Sequence, residues 1–227
     1  MKKNIYIIFL ILFLMIDPHH VTTSGVDVSG EISIEIYNRF SEMTKNLEYR
    51  KKLNTLNKSI EEEYKLFYLN LDTITRPSFT KKFMENLMCG ALDAKSLPSI
   101  SISQAAIETG YGTSNKLKHN IFGIKGKGIR SKTKEYINGK YVVIKSEFQF
   151  IKSQKHAFER HFAIIKNYGV KGDNYLDWID TIVSHGYATD PRYSYKLKYI
   201  ISRYRLDRLD KIQKLNLELK KFEYDKL

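Results

Sequence analysis

Asn138-Gly139 is the one strong β signal in a chain whose apolar residues otherwise recur at helical spacing. The dipeptide tolerates positive φ at both central positions of a type I′ turn, so it closes a two-residue hairpin. Its flanks, Thr133–Ile137 and Lys140–Ser146, are rich in β-branched residues and tyrosine. Closing the turn pairs Ile137 with Lys140, Tyr136 with Tyr141 and Glu135 with Val142. Elsewhere spacings of three and four predict helices. Ile32, Ile36, Phe40, Met43 and Leu47 mark one, and Leu53, Leu56 and Ile60 continue it. Further helices are expected over 78–95, 99–109, 153–167 and 174–185, the last stopped by Gly186. Asp190-Pro191 reads as an N-cap and N1 pair opening a helix to about 204, followed by a charged helix over 207–223. The fold class is α+β, mainly helical, with one small hairpin in mid-chain.

The 227 residues suffice for one ordinary domain plus an extension. A single cysteine, Cys89, rules out an intrachain disulfide, and its amphipathic surroundings (Phe83, Leu87, Met88, Leu92) predict a small core residue. Lys2 and Lys3 precede an unbroken apolar run from Ile5 to Ile16, the pattern of an export signal. The run is short for a spanning helix. Residues 1–24 are therefore read as a cleavable signal peptide, or else an uncleaved N-terminal anchor. The chain is expected to be exported to the periplasm or cell envelope, with membrane contact only through this segment. A net charge of +13 suggests a polyanionic partner. Export disfavours nucleic acid and points to anionic wall polymers. The charge is concentrated: from Asn115 to Ser146 nine Lys or Arg residues stand against one acid, Glu135.

Chemistry has few candidates. Glu108 ends a helix of small and apolar residues, where apolar surroundings would raise a carboxyl pKa as a general acid requires. Gly110 and Gly112 follow it and leave room for a bulky substrate. Glu135 lies three residues before the hairpin turn on the face of Ile137, Val142 and Ile144, alone among basic residues. Two such carboxyls across a cleft form the glycosidase arrangement. On the residues alone, the simpler reading of both is a surface acid, Glu108 solvated at a helix end and Glu135 paired with Lys132 or Lys134. His156 and His161 lack a third ligand at metal spacing, and Glu61-Glu62-Glu63 reads as a solvated helix turn.

The run Ser101-Ile-Ser-Gln-Ala-Ala-Ile-Glu-Thr-Gly-Tyr-Gly-Thr-Ser114 resembles the catalytic helix of the peptidoglycan N-acetylglucosaminidases of glycoside hydrolase family 73, the group of flagellum-associated and autolysin-type wall hydrolases. His119-Asn-Ile-Phe-Gly-Ile-Lys-Gly126 and Gly186-Tyr-Ala-Thr-Asp-Pro-Arg-Tyr-Ser-Tyr-Lys-Leu197 resemble two further blocks of that family, in the same order. Thr133–Gly139 is similar to its hairpin. Thr109 and Tyr111 depart from it, standing where Ser and Trp are common. The resemblance implies a lysozyme-like fold, with a helical lobe and a small β-hairpin lobe flanking a glycan cleft. It places Glu108 on the general acid, Glu135 on the second carboxylate and Tyr193 on a tyrosine of the cleft. Tyr187, Asn120, Phe122 and Tyr111 would contact substrate.

The implied reaction is hydrolysis of the β-1,4 bond after N-acetylglucosamine in cell-wall glycan strands. Inverting, retaining and substrate-assisted routes all remain open, and no metal or organic cofactor is needed. A muramidase or lytic transglycosylase is the rival on the same fold, and a non-catalytic wall-binding or assembly module the rival of another class. The implied organisation is a helical extension over 25–76, a catalytic domain over 77–206 and a C-terminal charged helix over 207–227. A flagellar or cell-envelope protein is a candidate partner for residues 26–72.

Overall fold

A computed structural model describes residues 28–73, 78–114, 117–224 of the chain. The apolar run at Ile5–Ile16 lies outside them. Seven helices and one hairpin occur among the described residues: α1 (Val28–Thr73), α2 (Ser78–Asp93), α3 (Pro98–Thr109), β1 (Gly128–Ile137), β2 (Lys140–Gln149), α4 (Gln154–Lys166), α5 (Tyr175–Ser184), α6 (Tyr193–Tyr204) and α7 (Asp207–Tyr224). None of the helices is long and apolar enough to cross a membrane. The chain divides between Asn54 and Thr55 into two compact units.

In the first unit, Tyr37, Phe40, Met43 and Leu47 of α1 are exposed. In the second, the remainder of α1 behaves differently: Leu56, Phe67 and Leu71 are buried. Glu61 and Glu62 are exposed as expected, but Glu63 is buried and paired. Its Oε2 accepts from Arg208 at 2.7 Å, and its Oε1 from Lys211. Burial opposes ionisation of Glu63, but these two partners outweigh it and hold the pKa below the usual value. The periodicity of α1 explains the correction, since position 63 lies on the Ile60–Phe67 face.

The core of the second unit is built around α3, which packs against α2, α5, α6 and α7. Ser99, Ser101, Ser103, Ala105 and Ala106 are all buried, and their small side chains permit close approach from every side. The α3 N-terminus is capped from a distance: Ser99 N–H and Oγ–H donate to Asp210 of α7 at 2.8 and 2.6 Å. Its C-terminus ends at Gly110 in the left-handed region (φ 56°), whose N–H returns to the Ala106 carbonyl. Cys89 is exposed rather than core, because α2 buries the face of Phe83, Met84, Leu87 and Ala91.

The hairpin forms in the expected register, Ile137↔Lys140 through Glu135↔Val142, and extends to Gly128↔Gln149. Asn138 and Gly139 both take positive φ, 50° and 77°. Alternation places Ile129, Ser131, Thr133 and Glu135 on the less exposed face, with Arg130, Lys132 and Lys134 outward. The α6 helix starts two residues later than expected. Asp190 instead closes a turn, accepting from Arg192 N–H through its side chain and from Tyr193 N–H through its carbonyl, both at 2.9 Å.

Candidate active site

Glu108 occupies the last turn of α3, beside a cleft of about 180 Å³ that it lines with Thr109, Gly112, Asn120, Gly123 and the hairpin residues Ser131–Thr133. The residue is exposed, not buried as the sequence suggested. Protein atoms nevertheless crowd the carboxyl, and loss of hydration is the main cause that raises its pKa to about 7. Lys125 and Lys196 pull the value down, and Glu135 pushes it up. These facts describe a carboxyl beside a cleft, open to a ligand and with part of its hydration replaced by protein atoms. Its place at a helix C-terminus also disfavours negative charge.

Glu135 is partly exposed on β1, and its Oε1 accepts from Lys125 Nζ at 2.5 Å. The hairpin is held at both ends. At its base, Gln149 N–H donates to the Ile124 carbonyl at 2.8 Å and Gly126 N–H to the Glu147 carbonyl at 3.0 Å. Near its tip, Tyr141 packs edge-on to Tyr136 at 5.1 Å and accepts from Arg192 at 3.3 Å. Lys196 lies over the Tyr141 ring at 5.9 Å and pairs with Asp190.

Tyr193 and Tyr187 stack at 5.8 Å next to Glu108, whose charge acts on both phenols. Burial is the larger cause pushing each phenol pKa up, so both hydroxyls stay protonated at neutral pH. Three other candidates take internal positions. Asn120 lines the cleft, but its amide serves the backbone: Nδ2 donates to the Ile124 and Gln149 carbonyls at 2.9 Å, and Oδ1 accepts from Ile124 N–H at 2.8 Å. Phe122 is buried, stacked on His161 at 3.9 Å and edge-on to Phe158 at 5.3 Å. Tyr111 lies edge-on to Phe83 and Tyr204 at 6.4 and 5.8 Å and is not among the residues lining the cleft.

The sequence reading passed over Gly123, Gln104 and Lys125. Gly123 has φ +59°, and a Cβ there would come within 2.8 Å of Glu108 Oε2. Its bare α-carbon is what lets the 120–124 loop lie against the acid. Gln104 precedes Glu108 by four residues, so both occupy one face of α3. That spacing was the signal available for it.

A helical lobe and a small hairpin lobe, with a near-neutral carboxyl beside the cleft and a second carboxylate on the hairpin, define a lysozyme-like glycoside hydrolase. The glucosaminidase family (mannosyl-glycoprotein endo-beta-N-acetylglucosaminidase) matches residues 90–206, a little over half of the chain, and the chain belongs to that family. It is 33% identical over 154 residues to a probable N-acetylmuramidase of Lactococcus lactis subsp. lactis, covering 58% of this chain and 35% of that protein. It is 31% identical over 132 residues to the exo-glucosaminidase LytG of Bacillus subtilis, covering 51% of this chain and 47% of that one. The chain thus spans about a third to half the length of these relatives. Among solved structures, the catalytic domain of the autolysin Auto from Listeria monocytogenes superposes with a TM-score of 0.50 at 30% identity, over 60% of this chain and 89% of that domain.

Gly123→Ala should lower turnover about tenfold and stability by about 1–2 kcal/mol, because alanine both resists the left-handed conformation and displaces the Glu108 carboxyl. Rates on wall substrate beside thermal melts would check it. Unchanged turnover in a destabilised variant would show that the loop does not set the position of the acid.

Proposed function

We propose that the chain is an exported peptidoglycan hydrolase that cleaves the β-1,4 bond after N-acetylglucosamine. The observation that carries this reading is Glu108, whose carboxyl faces the cleft with a pKa raised to about 7 by loss of hydration. In that state it protonates the glycosidic oxygen, and the bond breaks through an oxocarbenium-like centre. Water enters from the opposite face, activated by Glu135 once substrate draws Lys125 away from it. Tyr187 and Tyr193 stack beside the acid as protonated phenols, and Tyr193 steadies the oxocarbenium-like centre. Asn120 and Phe122 shape the cleft from behind, consistent with their internal partners. The basic stretch over 115–146 attracts the carboxylates of wall peptides, an effect that salt weakens.

The family's description favours the bond after N-acetylglucosamine. The Lactococcus relatives, described as probable N-acetylmuramidases, favour cleavage after the neighbouring sugar on the same scaffold. Residues 1–24 direct export in this reading. The exposed residues Tyr37, Phe40, Met43 and Leu47 give the 26–72 extension an apolar stripe suited to a cell-envelope partner.

The test is release of soluble muropeptides from purified peptidoglycan by residues 26–227 across pH. The expected rate falls about tenfold per pH unit well above pH 7, as the acid loses its proton, and falls again at acid pH, as the base gains one. Tight wall binding with no release at any pH would replace the hydrolase by a binding module.

A further inference from the structure

Beneath Glu108 runs a buried polar chain that the proton-transfer reading above does not use. His161 of α4 and Gln104 of α3 are each 1% exposed. His161 Nε2 lies 2.6 Å from Gln104 Oε1, and Gln104 Nε2 donates to the Tyr193 hydroxyl at 2.9 Å. Tyr187 stacks on Tyr193 at 5.8 Å, and the Gln104 amide acts on its phenol as well.

The direction of each bond follows from the far end. His161 Nδ1 is buried without a partner. A buried N–H left unpaired is rarer and costlier than a bare lone pair, so the ring proton belongs on Nε2. Burial lowers the His161 pKa to about 3, so the ring is neutral and carries that one proton. Nε2–H then donates to Gln104 Oε1, which turns the amide NH2 toward the tyrosines. Each tyrosine oxygen that accepts from this NH2 must send its own proton elsewhere. The carboxyl of Glu108 is the acid whose charge acts on both phenols, so it is the acceptor toward which those protons turn.

We propose that His161 and Gln104 are positioning residues that fix Tyr193, and through the stacked rings Tyr187, as hydrogen-bond donors facing Glu108. The inference rests on the hydrolase reading for its consequence: the donors stabilise the carboxylate left after proton transfer. Its geometry is independent of that reading. The other groups acting on Glu108 are Lys125 at the hairpin base, Glu135 on β1 and Lys196 on α6, and none of them belongs to the chain from His161.

His161→Phe keeps a ring on Phe122 and removes the N–H, leaving the Gln104 amide free to flip. Donors to a charged carboxylate lower its pKa, so losing them moves the Glu108 titration upward. Two readouts are taken on the same variants. The first is the Glu108 carboxyl titration by carbon-13 NMR in the free protein, which needs no activity. An upward shift of about half a unit is expected. The second is kcat against KM on wall fragments, where kcat should fall about tenfold with KM unchanged. His161→Gln, which can donate to Gln104 again, should recover both. Gln104→Met serves as the second probe should His161→Phe fail to fold. A titration and kcat unchanged in folded variants would overturn the proposal. So would a kcat loss that follows melting temperature while the titration stays in place. A shifted titration in a protein that never cleaves wall would retain the relay and defeat only the hydrolase reading.

Discussion

Glu108→Gln should lower muropeptide release by about 10³-fold while leaving the fold intact, because glutamine keeps the shape of the side chain and lacks the transferable proton. Retained circular dichroism and wall binding would assign the loss to chemistry. The same variant carries a stability signature. The Glu108 pKa is raised from 4.5 to about 7 on folding, so between those values the folded protein holds more protons than the unfolded chain. The stability contributed by the protonated form is therefore present below pH 4.5 and lost as pH rises through 7. Glutamine does not ionise, so the variant should match wild type near pH 4 and melt higher than it at pH 8. Solvent access to Glu108 keeps the difference modest. Asp210, whose pKa burial also raises to about 7, titrates in both proteins and cancels from the comparison. A variant that melts lower than wild type at pH 8 would mean that the carboxylate is better solvated than its surroundings suggest.

Phe158→Ala should be the most destabilising single core change near the site, at about 3–5 kcal/mol. Phe158 is 2% exposed and packs edge-on to Phe122, while Gly90 of α2 leaves it space: a methyl there would meet the ring at 2.7 Å. Truncation opens a cavity between α2, α4 and the 120–124 loop. At about 2–4 °C per kcal/mol for a chain of this size, the melting temperature should drop by roughly 10 °C. Phe122 would lose its edge contact, and with it the stack that orients His161. Activity should therefore fall even at temperatures where the variant remains folded. A shift of only a few degrees would indicate that the loop collapses into the space without cost.

The parts of this architecture that depend on local chemistry were legible in the sequence. Asn138-Gly139 specified the turn, the turn specified the register, and period-two alternation placed Glu135 on the inner face. Tyr193 of α6 lies near enough to Glu108 of α3 to feel its charge, although the two are far apart in sequence; only the resemblance of three ordered blocks drew attention to both. Spacing alone fails where an identity is set by a partner from another helix. Glu63 looked solvated until Arg208 and Lys211 of α7 came into contact with it. His161 was considered only as a metal ligand, because nothing in its own helix indicates Gln104. Asn120 and Phe122 were expected to meet sugar, but backbone groups and aromatic neighbours engage them internally. Cys89 was expected in the core because Leu87 and Met88 stand beside it, although only one face of α2 is buried.

The most direct test of the account is the identity of the new reducing ends when residues 26–227 digest purified peptidoglycan, read by borohydride reduction and mass spectrometry. Fragments ending in reduced N-acetylglucosamine, absent with Glu108→Gln, are the predicted result. Reduced or anhydro N-acetylmuramic acid ends would contradict it and assign the scaffold to the neighbouring bond.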